Sequence, residues 1–129
     1  MLDSYALLAY LRAEAGGERV RDLLAEASRK DRPLHMTEVN YAEVKYMVLR
    51  KDKAQAWRAA AAILPALPVE FHEATRELAD LAADLKARHP ISLADAFAAA
   101  LAQERNAELI TGDPEFKAVE GEVKILWLQ

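Results

Sequence analysis

Hydrophobic and polar residues follow two periods along this chain, one helical and one strand-like. Ser4 precedes an apolar helical face, which predicts an N-capped helix that ends at Gly16–Gly17. Apolar residues then recur every three or four positions over 20–27, which predicts a second, amphipathic helix. Leu2 alone is too short to show a strand, but it places Asp3 at a predicted strand-to-helix junction.

The rest of the chain repeats the order of strand followed by helix. The predicted strands are Pro33–Thr37, Val69–Phe71, Glu108–Thr111 and Val123–Leu128. The predicted helices are one capped by Thr37 and running to Leu49 or Arg50, one from about Lys53 to Leu64, one from His72 to Arg88, and one opened by Ser92 and running through Ala102. This alternation predicts an α/β fold, a three-layer sandwich in which helices flank a short, mainly parallel sheet.

Length and composition limit the class of protein. With 129 residues, 53% hydrophobic and 29% charged, the chain is expected to form a single domain over residues 1–129 and not a disordered one. The longest apolar stretch, 59–69, is interrupted by Pro65 and Pro68 and is too short to cross a bilayer, so we expect no membrane association. The sequence contains no cysteine, which excludes a disulfide framework and a cysteine nucleophile and favours a cytoplasmic location.

The net charge of −4 argues against a broad basic surface for nucleic acid. It does not exclude a nuclease, because an enzyme that gathers carboxylates around divalent cations is acidic as a bare chain. The acidic residues therefore decide the functional hypothesis.

Four acids occupy positions from which they can converge. Asp3 and Asp113 each follow a predicted strand, so both are expected at one rim of the sheet, where ligands bind in parallel α/β folds. Asp95 lies in the first turn of its predicted helix and Glu43 in the second turn of another. Because clustered carboxylates repel one another, they stay ionised only around a cation, and Mg²⁺ or Mn²⁺ is the expected ion.

Each acid also has a structural explanation. Asp95 fits a capping box with Ser92, Asp113 is a common turn residue in Thr-Gly-Asp-Pro-Glu, and Asp3 can be an exposed acid or a helix cap. Glu43 is hardest to explain in this way, because it lies on or beside an apolar stripe.

Four segments, taken together, resemble the PIN-domain ribonucleases, and specifically the VapC-like toxins of type II toxin–antitoxin modules. The resemblance runs nearly end to end. The segments are Leu-Asp-Ser-Tyr-Ala-Leu-Leu-Ala-Tyr-Leu (2–11), Thr-Glu-Val-Asn-Tyr-Ala-Glu-Val (37–44), Ile-Ser-Leu-Ala-Asp-Ala-Phe-Ala-Ala-Ala-Leu-Ala (91–102) and Glu-Leu-Ile-Thr-Gly-Asp-Pro-Glu-Phe (108–116). Each segment alone is a weak signal, and their order and spacing make the likeness specific.

The resemblance implies a metal-dependent endoribonuclease that hydrolyses RNA phosphodiester bonds. It implies that the catalytic and metal-binding residues are Asp3, Glu43, Asp95 and Asp113, holding Mg²⁺ or Mn²⁺. Thr111 and Ser4 are expected to support them through hydrogen bonds. The resemblance further implies an RNA substrate, a homodimer and inhibition by a cognate antitoxin protein.

Two nearby acids are assigned other roles. Glu38 occupies the first turn of its helix, where an acid favours the helix dipole. Glu115 is expected at the surface after the turn, with a place in the same pocket as the alternative.

Two other functions are compatible with an α/β fold of this kind. One is a catalytically inert PIN-fold interaction module, against which the four intact acids argue. The other is a phosphoacceptor signalling domain, which fits poorly because adjacent acids are expected on its first strand and Asp3 stands alone after Leu2.

Two further groups of side chains receive a default interpretation. The three histidines, His35, His72 and His89, have no close zinc-ligand spacing and are assigned to packing or surface positions. A basic segment comprises Lys45, Arg50, Lys51, Lys53 and Arg58. It is expected to be a solvated face, with RNA phosphate contact as the alternative hypothesis.

Overall fold

The computed structural model describes residues 1–128, and Gln129, the last residue of the predicted domain, lies outside them. The strands are β1 (Leu34–Thr37), β2 (Val69–His72), β3 (Leu109–Thr111) and β4 (Ile125–Trp127). The α-helices are α1 (Ser4–Leu11), α2 (Gly17–Arg29), α3 (Glu38–Lys51), α4 (Lys53–Ile63), α5 (Arg76–Arg88) and α6 (Leu93–Glu104). Two 3₁₀ turns, Leu64–Ala66 and Pro114–Val119, complete the elements.

The strands form a parallel sheet that is joined at its centre by Leu2. In one pair, β1 lies beside β2 with Thr37 opposite His72; in the other, β3 lies beside β4. Leu2 makes a parallel bridge to Ile110, and its N–H donates to the carbonyl of His35 at 2.7 Å. The order across the sheet is therefore β2, β1, Leu2, β3, β4.

Helices cover both faces of this sheet, as the sequence predicts. Leu2, Met36 and Ile110 pack toward α1–α4, whereas Met1 and Leu109 pack toward α5 and α6. The predicted three-layer α/β fold with short parallel strands is confirmed.

The alanine-rich helix α6 is buried continuously from Asp95 to Ala102. Its small side chains allow it to lie against the sheet on one side and α5 on the other. An acid in the first turn of this helix is therefore held on a rigid support.

Several predicted boundaries differ from the structure by one or more residues, and three of these differences affect the first helix or the sheet. The N-cap of α1 is Asp3, not Ser4, because Asp3 Oδ1 accepts a hydrogen bond from the Ala6 N–H at 2.8 Å. This helix ends at Leu11, before the two glycines. His72 belongs to β2, where it pairs with β1, and α5 begins only after Thr75.

Within residues 1–128, the helices lack the length and apolarity that a bilayer crossing needs.

Candidate functional site

The four predicted acids line a single cleft. Asp3, Glu43, Asp95 and Asp113 come from four different parts of the chain and surround a cavity of about 290 Å³ at the end of the sheet formed by Leu2 and β3. The parallel pairing of Leu2 with Ile110 brings Asp3 and Asp113 to the same rim. The structure thus brings all four predicted site residues together.

Asp3 lies at the base of this cleft with only 1% of its surface exposed. Its carboxylate accepts hydrogen bonds from the Ala6 N–H and from the Thr111 hydroxyl. Burial is the main reason that the pKa of Asp3 rises to about 8, although those two hydrogen bonds act in the opposite direction, and the charges of Asp95 and Asp113 raise it further. Without a cation, this side chain carries a proton at neutral pH.

Asp95 faces the same cleft from the first turn of α6. Its pKa rises to about 7, first because of burial and then because of the charges of Asp113 and Glu115.

The start of α6 is capped by Ser92, whose hydroxyl accepts the backbone N–H of Asp95. In a capping box, the side chain at this position would accept the Ser92 N–H, but that N–H donates to Glu115 at 2.7 Å. The predicted capping role therefore belongs to Glu115, and the Asp95 carboxylate is available to the cleft.

Asp113 and Glu115 lie on the turn after β3. Asp113 caps the 3₁₀ turn, because its Oδ1 accepts from the Glu115 N–H at 2.9 Å, and its own N–H donates to Thr111 Oγ1 at 3.0 Å. One carboxylate oxygen each from Asp95, Asp113 and Glu115 lies within 4.8 Å of the others. Glu115 is exposed as predicted, and it also lines the cleft, which was the alternative for this residue.

Glu43 reaches the cleft from the second turn of α3 and is partly buried. The start of this helix is fixed by Thr37, whose hydroxyl accepts the Asn40 N–H at 2.9 Å. Glu38, in the first turn, is exposed.

Asn40 is a fully buried residue that sequence reasoning missed. Its amide donates to Ser4 Oγ at 3.3 Å and to the Ala94 carbonyl at 3.1 Å, and its Oδ1 accepts from the Thr37 hydroxyl. It therefore connects the segments that carry Asp3, Glu43 and Asp95. Its position one turn before Val44, on the buried face of α3, was the available signal.

The donor set of the cleft fits a hard divalent cation. Its acidic residues supply only carboxylate oxygens, and oxygen ligands are those that Mg²⁺ and Mn²⁺ prefer. A cation bound here would also offset the repulsion from neighbouring carboxylates that helps to raise the pKa values of Asp3 and Asp95.

The family assignment agrees with this architecture. The family model of the PIN domain matches residues 1–122, and the chain belongs to the PIN-domain family. A sequence search of the curated proteins found no match.

Solved structures share the fold at low sequence identity. A chain of the DNA-bound VapBC complex from Salmonella typhimurium aligns with a TM-score of 0.80 and 16% identity, covering 100% of this chain and 97% of that one. A chain of VapBC2 from Rickettsia felis, bound to a DNA fragment from its promoter, gives 0.72 and 20%, covering 98% and 96%. The sarcin–ricin loop cleaving toxin VapC20 from Mycobacterium tuberculosis gives 0.72 and 21%, covering 92% of each chain.

Proposed function

We propose that this protein is a Mg²⁺- or Mn²⁺-dependent endoribonuclease that acts as the toxin of a toxin–antitoxin pair. The observation that carries the proposal is the convergence of Asp3, Glu43, Asp95 and Asp113 on one cleft. Membership of the PIN-domain family supports the reaction class. The similarity to VapBC complexes and to an RNA-cleaving toxin supports the RNA substrate and the antitoxin partner.

In this proposal, the four acids bind the ion, Thr111 positions Asp3 directly, and Asn40 fixes the segments that carry the acids. A bound divalent ion supplies positive charge that polarises a phosphodiester and activates water for hydrolysis. The Thr111 hydroxyl fixes Asp3 from one side, and the Ala6 N–H fixes it from the other. With a divalent ion bound, Asp3 and Asp95 would be held as carboxylates, because its charge would outweigh the burial and the repulsion that raise their pKa values.

The deciding experiment compares RNA cleavage by the parent, Asp95→Asn and Asp84→Asn. Asp84 is an exposed acid on α5, so its substitution controls for loss of a negative charge. With Mn²⁺ and a panel of cellular RNAs, we expect Asp95→Asn to lose about 100-fold or more of the cleavage rate, comparable to removal of a key electrostatic group. Asp84→Asn should cut like the parent.

Metal binding separates this proposal from its rivals. Titration with Mn²⁺ should show saturable binding by the parent and Asp84→Asn and weaker binding by Asp95→Asn. A parent that neither binds Mn²⁺ nor cuts RNA would indicate the inert interaction module. Equal cutting by the parent and Asp95→Asn would indicate a contaminant or another site.

The toxin role, the antitoxin partner and the homodimer are tested separately. Expression of the parent in a bacterial host should arrest growth, and expression of Asp95→Asn should not. Co-expression with the cognate antitoxin should relieve the arrest and yield a stable complex. Sedimentation of the purified protein should give the mass of a dimer, and a monomer at all concentrations would reject that part of the proposal.

A further inference from the structure

A second group of metal-ligating side chains lies at the other end of α6 from the acidic cleft. His35 on β1 stands opposite Glu70 on β2 in the parallel register, and His72 follows Glu70 by two residues. Because side chains alternate along a strand, all three project from the same face of the sheet. One ligand atom from each lies within 4.8 Å of the other two.

We propose that His35, Glu70 and His72 form a second metal site, which takes a transition-metal dication such as Zn²⁺ or Co²⁺. His35 Nδ1 lies 2.8 Å from His72 Nε2, and these atoms lie 4.0 and 3.9 Å from the Glu70 carboxylate oxygens. In a tetrahedral site with bonds of about 2.05 Å, neighbouring ligand atoms are roughly 3.3 Å apart. Shifts of less than about 1 Å therefore convert the observed triangle into a coordination face.

The chemistry of these donors differs from that of the cleft. Two imidazoles and one carboxylate select zinc-like ions, whereas an all-carboxylate set selects magnesium-like ions. Glu70 is about half exposed, so an ion can enter from solvent on its side.

The two sites are well separated. His72 contacts Arg105, the residue that follows the C-terminal end of α6, whereas Asp95 lies in the first turn of that helix. Ten residues of helix span roughly 15 Å. The two groups of side chains are therefore too far apart to coordinate the same ion.

Arg105 opposes metal binding at this second site through its hydrogen bond to His72. Its guanidinium donates to His72 Nδ1 at 3.1 Å, so the proton of a neutral His72 lies on Nε2 and is donated to His35 Nδ1. Coordination through Nε2 requires that proton to move to Nδ1, where it would face the arginine. Arg105 is exposed and can turn away. Arg105→Gln removes the charge and provides a carbonyl acceptor for the Nδ1 proton, so it should increase metal affinity.

The experiment is a Co²⁺ titration of the full chain in excess Mg²⁺, followed by visible absorption and by the Zn²⁺-dependent shift in melting temperature. We expect one Co²⁺ to bind with tetrahedral absorption bands, and Zn²⁺ to displace it. His35→Gln and His72→Gln should each weaken binding by about tenfold or more, and Arg105→Gln should strengthen it. The matched control is His89→Gln, because His89 pairs with Glu122 away from the strands and should not affect binding.

Several results would overturn the second site. They are absence of Co²⁺ binding, binding that survives both His35→Gln and His72→Gln, and loss of binding in His89→Gln. Asp95→Asn should leave Co²⁺ affinity unchanged, and a loss there would assign the signal to the acidic cleft. If His35→Gln does not fold, as judged by circular dichroism, Glu70→Gln on the edge strand gives the same test through a ligand that is half exposed.

Discussion

At the scale of single residues, Asp3 is the acid of the candidate site whose ionised form is least favourable in the metal-free protein. It is a buried carboxylate whose neighbours include two more acids, and its pKa rises from 3.8 to about 8. In the unfolded chain, the same group ionises at its ordinary pKa. Folding therefore disfavours the ionised form of Asp3, and a bound cation would offset this cost.

Asp3→Asn should stabilise the metal-free protein at pH 8 and abolish its stabilisation by Mn²⁺. Asparagine is also a good N-cap, so the Ala6 hydrogen bond can be kept while the buried charge is lost. We expect a gain of at least about 1 kcal/mol, or about 3–6 °C in melting temperature for a chain of this size. Calorimetry with EDTA and with Mn²⁺ measures both effects.

Asp84→Asn is the control for this comparison and should change neither value, because Asp84 is exposed. A metal-free Asp3→Asn protein less stable than the parent at pH 8 would contradict the electrostatic account of Asp3.

Asn40→Ala should destabilise the protein by about 1–3 kcal/mol, because the Ala94 carbonyl loses a buried donor and the Thr37 hydroxyl loses its acceptor. Urea unfolding measures the loss. Gln55→Ala, which removes an exposed amide from α4, should stay within about 0.5 kcal/mol of the parent.

Asn40→Ala should also lower the RNA cleavage rate of the fully folded protein, since Asn40 positions the segments that carry the acids. Unchanged stability and unchanged cleavage together would show that Asn40 has no such role.

The sequence predicted those site residues that follow a strand or begin a helix. Asp3 and Asp113 follow strands, and strand ends in a parallel sheet share a rim. The capping hydrogen bond of Glu115 was not predictable, because its carboxylate accepts an N–H from Ser92, 23 positions earlier. His35 and His72 were missed for the same reason, since only the register of β1 against β2 brings them together.

At the scale of elements, periodicity identified the helices and strands but not every boundary. The helix predicted from His72 begins instead at Arg76, because β-pairing extends through His72 and Thr75 provides the cap. Leu2, at the centre of the sheet, could not be recognised by pattern, because a single residue has no period. The 3₁₀ turn Pro114–Val119 was also not predicted.

The last turn of α3 tests whether the basic segment contacts RNA. Arg50 and Lys51 are exposed on the same helix as Glu43. The double variant Arg50→Gln/Lys51→Gln should weaken RNA binding and reduce its salt dependence by about 1 per lost phosphate contact, with Mn²⁺ affinity unchanged. Filter binding at several salt concentrations measures the effect.

The charge-matched control for this experiment is Arg19→Gln/Arg21→Gln, on exposed positions of α2. Equal losses in both double variants would indicate a general effect of net charge, and no loss in either would assign the basic segment to a solvated face.

At the scale of the whole molecule, the cleft makes stability depend on pH. Asp3 and Asp95 have folded pKa values of about 8 and about 7, both raised from 3.8. Between about pH 4 and about pH 6, these two groups bind more protons in the folded state than in the unfolded state, so the stability of the metal-free protein should fall as pH rises over this range. Above about pH 6 the buried amino group of Met1, whose pKa is lowered to about 6 by burial, acts in the opposite direction.

Mn²⁺ should oppose this loss, and its stabilising effect should grow over the same range because protons compete with the ion for the carboxylates. Melting temperatures measured at several pH values, with EDTA and with Mn²⁺, test the prediction. A metal-free stability that rises with pH across this range would contradict it.

The hydrogen bond from Thr111 to Asp3 joins residues 108 positions apart. During synthesis, a chain that ends before β3 lacks the neighbour of Leu2, the hydroxyl that holds Asp3, and Asp113 itself. The complete constellation of acids therefore forms only after most of the polypeptide has left the ribosome. Under the proposed function, the nascent chain should therefore be unable to cleave the message from which it is being translated.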